Sequence, residues 1–322
     1  MIIITGAAGF IASCLSQKLL REDNEVRLLL VDNFEIEKKK KNIPINDRCT
    51  MIARTNLFDY LDTKNPEISQ VYHLGARTDT AEQNTSLLRK LNVEFSKDIW
   101  IYCALEEVPL VYASSAATYG DGSKGFVDSH EIVSELKPLN PYGDSKQEFD
   151  KWVLEQALEP PAWYGVKFFN VFGPNEYHKG RMASVVFHAF NQIQKTGMMK
   201  LFRSHREDVK DGMQSRDFIY IEDVLNCCHF LMNEKVESGL YNIGTGKARS
   251  FKDLVEAVFK ALNKKSEIEF IDTPEDIREN YQYFTEADME KLKTAGYKHE
   301  FTSLESGVEK YVKEYLTFTK YY

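Results

Sequence analysis

Long apolar runs are missing from this 322-residue chain. No stretch approaches the roughly 20 residues of a membrane helix, and Ile2-Ile3-Ile4 is too short for a secretory leader. Cysteine is scarce: five residues, at positions 14, 49, 103, 227 and 228, form an odd, scattered set without metal-ligand spacing. That excludes a disulfide framework, gives no metal site, and leaves reduced thiols in a cytoplasmic protein as the expectation. A basic excess is lacking too: 41 Lys and Arg stand against 49 Asp and Glu, for a net charge of -8. No basic cluster is interleaved with aromatics, so neither nucleic acid nor a membrane surface is expected as a partner. The one basic run, Lys38 to Lys41, reads as a solvated loop. Internal repeats and low-complexity linkers are absent. What remains is an ordinary globular composition, 43% hydrophobic and 28% charged, long enough for two lobes.

What is present alternates. Residues 1–4 form an apolar strand that runs into Thr5-Gly6-Ala7-Ala8-Gly9-Phe10-Ile11-Ala12, after which Ile11, Leu15 and Leu19 recur at helical spacing. Gly6 and Gly9 permit a tight turn and the close approach of a diphosphate, which a helix N-terminus attracts. A second strand, 26–31, ends in Asp32, at the distance where an acidic side chain grips an adenosine ribose. Asp32 alone favours NAD, since it repels a ribose 2'-phosphate, whereas the lysines at 38–41 are placed to neutralise one; both dinucleotides stay open. Strands at 71–74, 110–112 and 165–169 alternate with helices at 85–104 and from Asn140. This rhythm predicts a Rossmann-type α/β fold, a doubly wound parallel sheet with ligands at the carboxyl ends of its strands. Gly6, Asp32, Gly75 and Ser115 all fall at such ends. The strand 216–221 is expected to return to that sheet. The dinucleotide domain then comprises 1–168 plus about 216–241, and a smaller α/β substrate domain about 169–215 plus 242–322. Capped helices are expected at 285–293 and 303–316.

The segment Asn140-Pro141-Tyr142-Gly143-Asp144-Ser145-Lys146 starts a helix, with Asn as N-cap and Pro at the first position. Tyr142 and Lys146 are four residues apart and share one helical face. A lysine ammonium beside a phenol lowers its pKa, which acid–base chemistry needs. Tyr-x-x-x-Lys alone is a weak signal, but Ser115 at the preceding strand end supplies a hydroxyl that can position a substrate proton for Tyr142.

The Gly6-Ala7-Ala8-Gly9-Phe10-Ile11 turn, Ser115 and Tyr142-x-x-x-Lys146 resemble an extended short-chain dehydrogenase/reductase acting on nucleotide sugars. Tyr112 to Gly120, Phe169-Asn170-Val171-Phe172-Gly173-Pro174, His178-Lys179-Gly180 with Met182-Ala183-Ser184-Val185, and Tyr281-Gln282 with Thr285-Glu286-Ala287-Asp288 narrow this. They resemble the ADP-glyceromanno-heptose 6-epimerases across nearly the whole chain. That resemblance implies inversion at C6 of ADP-D-glycero-D-manno-heptose, destined for bacterial lipopolysaccharide. The route is a transient 6-ketone, with one tightly bound NADP or NAD per subunit. It implies Tyr142 and Lys179 as acid–base groups on opposite faces of the sugar, with Lys146 on the nicotinamide ribose and Ser115 assisting. It implies cofactor contacts from Gly6, Gly9, Phe10, Ile11, Asp32, Asn33, Lys39, Leu74, Gly75, Ala76, Arg77, Asn92, Lys146 and Val171. Substrate contacts fall to Ser115, Asn170, Arg181, His188, Phe202, Arg203, Ser204, His205, Arg216 and Tyr281. The family forms homo-oligomers, a pentamer among them.

Some points depart from the family or stay open. Asn92 faces either the site or solvent. Arg216 either grips a diphosphate or pairs with an aspartate. Ala12 replaces a third glycine and is small enough to fit. Arg181 stands where the family tends to a small hydroxyl residue, and the 203–215 excursion is longer than usual. The rival enzyme is a UDP-hexose 4-epimerase, which should lack the His178-Lys179-Gly180 block. A 4,6-dehydratase wants an acidic residue close after Ser115, where this chain has Ala116-Ala117. A non-catalytic dinucleotide sensor usually loses Tyr142 or Lys146, and both are present.

Overall fold

The computed structural model describes residues 1–278 and 281–322. β1 (Ile2–Thr5) and β2 (Leu28–Asp32) are unbroken apolar runs, buried at every position, as a parallel sheet covered on both faces demands. With β3 (Cys49–Ala53), β4 (Gln70–His73), β5 (Leu110–Ser115), β6 (Trp163–Phe168) and β10 (Gly239–Ile243) they make a seven-stranded parallel sheet in the order β10-β6-β5-β4-β1-β2-β3. The winding direction changes between β1 and β4, and the gap beyond their carboxyl ends is where such folds hold ligands. One face packs Ile3, Leu29, Val71 and Leu110 against Trp100, Phe149 and Val153. The other packs Ile4, Leu28, Leu30 and Val111 against Leu15 and Leu19 of the helix Phe10–Glu22 and Leu225 and Leu231 of the helix Ile221–Asn233. Among the described residues no helix is long and apolar enough to cross a membrane.

Two smaller sheets build the remainder. β7 (Asn170–Phe172), β9 (Ser215–Tyr220) and β11 (Ala248–Ser250) form one, in the order β11-β9-β7, and β8 (Met199–Phe202) pairs with β12 (Ile268–Ile271) in the other. This corrects the expected course of 216–221, which lies in the small sheet as β9; the strand that re-enters the large sheet is β10, beside β6. Both are short runs with apolar centres on either side of one helix, and periodicity does not distinguish which of them enters the large sheet. The expected helix at 285–293 shrinks to Glu290–Thr294. Its first turn is lost because Asp217 claims the backbone: the Ala287 N–H donates to Asp217 Oδ2 at 3.1 Å, as do those of Thr245 and Gly246 to the same carboxylate at 2.8 and 2.9 Å. β3 and the 3-10 turn Glu37–Asn42 have no counterpart in the sequence reading, which saw only a loop at 38–41.

Candidate active site

The glycine turn closes as its sequence requires. Gly6 has φ +69°, and a Cβ there would lie 2.6 Å from Gly75 Cα, so the turns after β1 and β4 touch backbone to backbone. Gly9 is the N-cap of the helix Phe10–Glu22 and offers no side-chain cap, so the first helical amides remain for a ligand. Thr5 binds the two strand ends together: its Oγ1 meets His73 Nδ1 at 2.7 Å and accepts the Gly75 N–H at 3.0 Å. His73 Nε2 meets Ser96 Oγ at 2.8 Å, and burial pushes the imidazole down to about 3, so it is neutral.

A cavity of about 480 Å³ opens at this point. Its lining includes Gly6, Gly9, Phe10, Ile11, Asp32, Asn33, Lys39, Leu74, Gly75, Ala76, Arg77 and Lys179. Of the residues expected at a cofactor, Asn92, Lys146 and Val171 are not among the described lining residues. Asn92 lies in a π-helical turn, Arg89–Glu94, that rotates it inward, and it is wholly buried. It accepts the Arg77 N–H at 2.8 Å, donates to the Arg77 carbonyl at 3.0 Å and reaches Ser145 Oγ at 3.0 Å. It therefore shapes the Arg77 backbone from behind. At the other end, Asp32 accepts the Ala8 and Asn33 N–H groups at 2.9 and 2.7 Å and lies 3.3 Å from Lys39 Nζ. Lys38 and Arg54 line the same end. Arg54 follows the unforeseen strand β3, and nothing in its sequence context signalled it.

Residues 176–182 form a strap across the cavity. Asn42 Nδ2 lies 3.1 Å from His178 Nδ1 and donates to the Asn175 carbonyl at 2.9 Å. On the far side Arg181 pairs with Asp79 at 2.8 Å, and Thr80 Oγ1 reaches Met182 Sδ at 3.7 Å. Between them Lys179 Nζ stands 5.2 Å above the Phe10 ring. Burial lowers the Lys179 ammonium below the usual lysine range, against the opposing pull of the Glu176 carboxylate. Glu176 closes the strap on itself, accepting from the Ser184 hydroxyl at 2.6 Å and from the Ser184 N–H. Arg181 thus serves the strap, and His188 joins it through Nε2, 3.3 Å from the Arg181 carbonyl.

The Tyr-x-x-x-Lys helix, Pro141–Leu154, starts as expected, with the Asn140 side chain accepting the Gly143 N–H at 2.9 Å. Tyr142 lies near Ser115, the last residue of β5, whose side chain caps the 3-10 turn Ala116–Tyr119 and draws the Tyr142 pKa down. One expectation is overturned here. Lys146 does not lower the Tyr142 pKa; burial raises it, Ser115 offsets part of that, and Asp150 adds to the rise. Lys146 Nζ instead donates to the Ala113 carbonyl at 2.8 Å, and burial brings its own pKa down to about 8.

The residues expected at a sugar nucleotide gather more loosely. Phe202 and Tyr281 pack edge to face at 6.2 Å, and Arg216 lies 5.7 Å from the Tyr281 ring and 5.5 Å from that of Phe251. Arg216 donates to the backbone carbonyls of Ser215 and Gln282, which decides against pairing with Asp217. Asn170 is exposed at the start of β7, with Val171 half-buried beside it. Arg203 is exposed, with Nε donating to the Phe270 carbonyl at 3.2 Å; the Ser204 N–H donates to Asp211 at 2.8 Å, and the His205 N–H to Tyr283 at 2.9 Å. Among the described residues no group of three or more His, Cys, Asp or Glu could hold a metal ion.

A glycine turn at the switch point, an acidic residue ending β2 and a Ser/Tyr/Lys set beside them define a class. The chain belongs to the NAD dependent epimerase/dehydratase family, whose model matches residues 2–244. Within it, the chain is 46% identical to ADP-L-glycero-D-manno-heptose-6-epimerase of Fusobacterium nucleatum and 44% identical to that of Nitratidesulfovibrio vulgaris, with 98% of each chain covered in both cases. The crystal structure of Helicobacter pylori ADP-L-glycero-D-manno-heptose-6-epimerase is similar with a TM-score of 0.81 at 27% identity, covering 97% of this chain and 95% of that one.

Proposed function

We propose that the chain is an ADP-D-glycero-D-manno-heptose 6-epimerase. The observation that carries this is the near-full-length identity to relatives of that name. The site supports it with two separate proton-transfer groups, Tyr142 on its helix and Lys179 on the strap. Groups on both faces of the carbon let each proton transfer occur without moving the acid or base. Bound in the cavity, a nicotinamide would take the hydride from C6 and return it. Tyr142, oriented by Ser115, removes or restores the C6 hydroxyl proton on one face, and Lys179 serves the other. The lowered ammonium pKa of Lys179 eases the release of a proton from it. Arg216, Phe202 and Tyr281 form the aromatic and cationic wall offered to the ADP portion.

The test is incubation with ADP-D-glycero-D-manno-heptose without added cofactor, following C6 configuration by NMR. Lys179→Met is expected to slow conversion by about 10²–10⁴-fold, the usual contribution of a positioned acid or base. Full activity in that variant would remove Lys179 from the chemistry, and turnover of UDP-hexoses alone would move the assignment to a 4-epimerase.

The cofactor reading is NADP. The Asp32 carboxylate is already engaged by two backbone N–H groups and Lys39, while Lys38, Lys39 and Arg54 surround the place of a ribose 2'-phosphate. Titrating stripped protein should give about tenfold tighter binding of NADP than of NAD, some 1.4 kcal/mol. Tighter NAD binding would return Asp32 to the role of ribose ligand.

A further inference from the structure

Behind the Tyr142 helix lies a charge pair that the chemistry above does not use. Asp150 Oδ2 is 2.5 Å from Lys167 Nζ, with side chains 0% and 1% exposed. The Asp150 carboxylate also accepts from Ser114 Oγ at 2.7 Å and from the Tyr112 hydroxyl at 3.2 Å. Lys167 gives a further bond to Thr118 Oγ1 at 2.9 Å. Each of these partners is one step from a candidate catalytic residue. Tyr112 and Ser114 flank Ala113, whose carbonyl holds Lys146 Nζ at 2.8 Å, and Ser114 adjoins Ser115. Thr118 donates to the Ser115 carbonyl at 2.8 Å. Asp150 itself lies one helical turn beyond Lys146 and two beyond Tyr142.

A buried ion pair is a poor way to gain stability, since apolar residues of similar volume usually do as well or better. Here it joins the helix, β5, β6 and the turn after β5 at the point where Ser115, Tyr142 and Lys146 meet. We propose that Asp150 and Lys167 are positioning residues for this acid–base set. They fix the end of β5 against the helix, and the Asp150 carboxylate sets the pH range in which Tyr142 and Lys146 work. The proposal rests on the reading of Tyr142 as an acid–base group.

The electrostatics follow from who faces whom. Asp150 faces Lys146 from its own helix and His73 faces it from β4, and β5 offers Lys146 the Ala113 carbonyl; Lys167 on β6, the Tyr112 phenol on β5 and Tyr119 on the turn after β5 face Asp150. His73 is neutral, so Asp150 is the charge that acts, and it raises both Lys146 and Tyr142. Removing it lowers both.

The test is Asp150→Asn in cofactor-loaded enzyme, read as kcat against pH, together with the dissociation constant of NADP against pH in stripped protein. Both limbs of the kcat profile should move about one unit toward acid, the scale of a nearby charge, as should the midpoint at which NADP binding weakens. Asp150→Glu, which keeps the charge, should hold the wild-type limbs at lower kcat. Where Asp150→Asn alone does not fold, Asp150→Asn with Lys167→Met removes both charges and must show the same direction of shift. A uniform fall in kcat with unmoved limbs would overturn the proposal and leave the pair a structural brace. If wild-type protein epimerises nothing, the proposed reaction fails, and the NADP titration alone decides the pair.

Discussion

Tyr142→Phe keeps the fold and the bound dinucleotide but loses about 10²–10⁴-fold in epimerisation. The ring is buried at 8% exposure, and Phe fills the same space, so only the hydroxyl, with at most one hydrogen bond, goes. One neutral hydrogen bond is worth about 1 kcal/mol, too little to unfold a domain of ordinary stability. Ser115 keeps a partner, because its Oγ also accepts the Ala117 N–H at 3.1 Å. The loss therefore falls on the chemical step. Burial holds the phenol protonated in the free protein, so in the proposed reaction Tyr142 would act first as an acid and as a base only after giving up its proton. The check is single-turnover conversion with dinucleotide content measured in parallel. Activity within a few-fold of wild type would place the proton transfer elsewhere.

Acid should unfold the protein through His73. Its pKa falls from 6.5 to about 3 on folding, because burial excludes the imidazolium and the Lys146 ammonium opposes a second positive charge beside it. The unfolded chain binds a proton below pH 6.5 and the folded chain does not until near 3. Stability from this group is thus complete above 6.5 and declines as pH falls, reaching a loss of roughly 3 kcal/mol at pH 4. That is a large part of a typical folding free energy. The buried carboxyls of Glu176, Asp217 and Asp128, raised by desolvation, act with the opposite sign. The measurement is therefore a difference: Tm against pH for wild type and His73→Gln, in which the variant should show a flatter decline between pH 6.5 and 4.5. Parallel curves would show that His73 does not govern acid lability.

Much of this was legible in the chain, and the misses share a cause. β1, the glycine turn, Asp32 and the Asn140 cap are local patterns, where neighbouring residues dictate the backbone, and they appear where the spacing places them. The exchange of β9 for β10 is a matter of which strand finds β6, a long-range choice that two short strands do not encode locally. Asp150, four residues after Lys146, carries no signal in the sequence; only β6 bringing Lys167 beneath it reveals a buried charge. The expected effect of Lys146 on Tyr142 erred for the same reason, since charge was weighed and desolvation, a property of the assembled core, was not.

The strap from Asn42 to Asp79 has a consequence for timing. A redox carrier that ends each cycle in the state in which it began has no reason to exchange with the medium, unlike the co-substrate of a dehydrogenase. His178 is tied to Asn42 at one end of the strap and Arg181 to Asp79 at the other, so a carrier held beneath it would leave as those ties part. In the proposed reaction the residence time of a bound dinucleotide would follow the strap's opening rate, and one loading event would serve for many sugars.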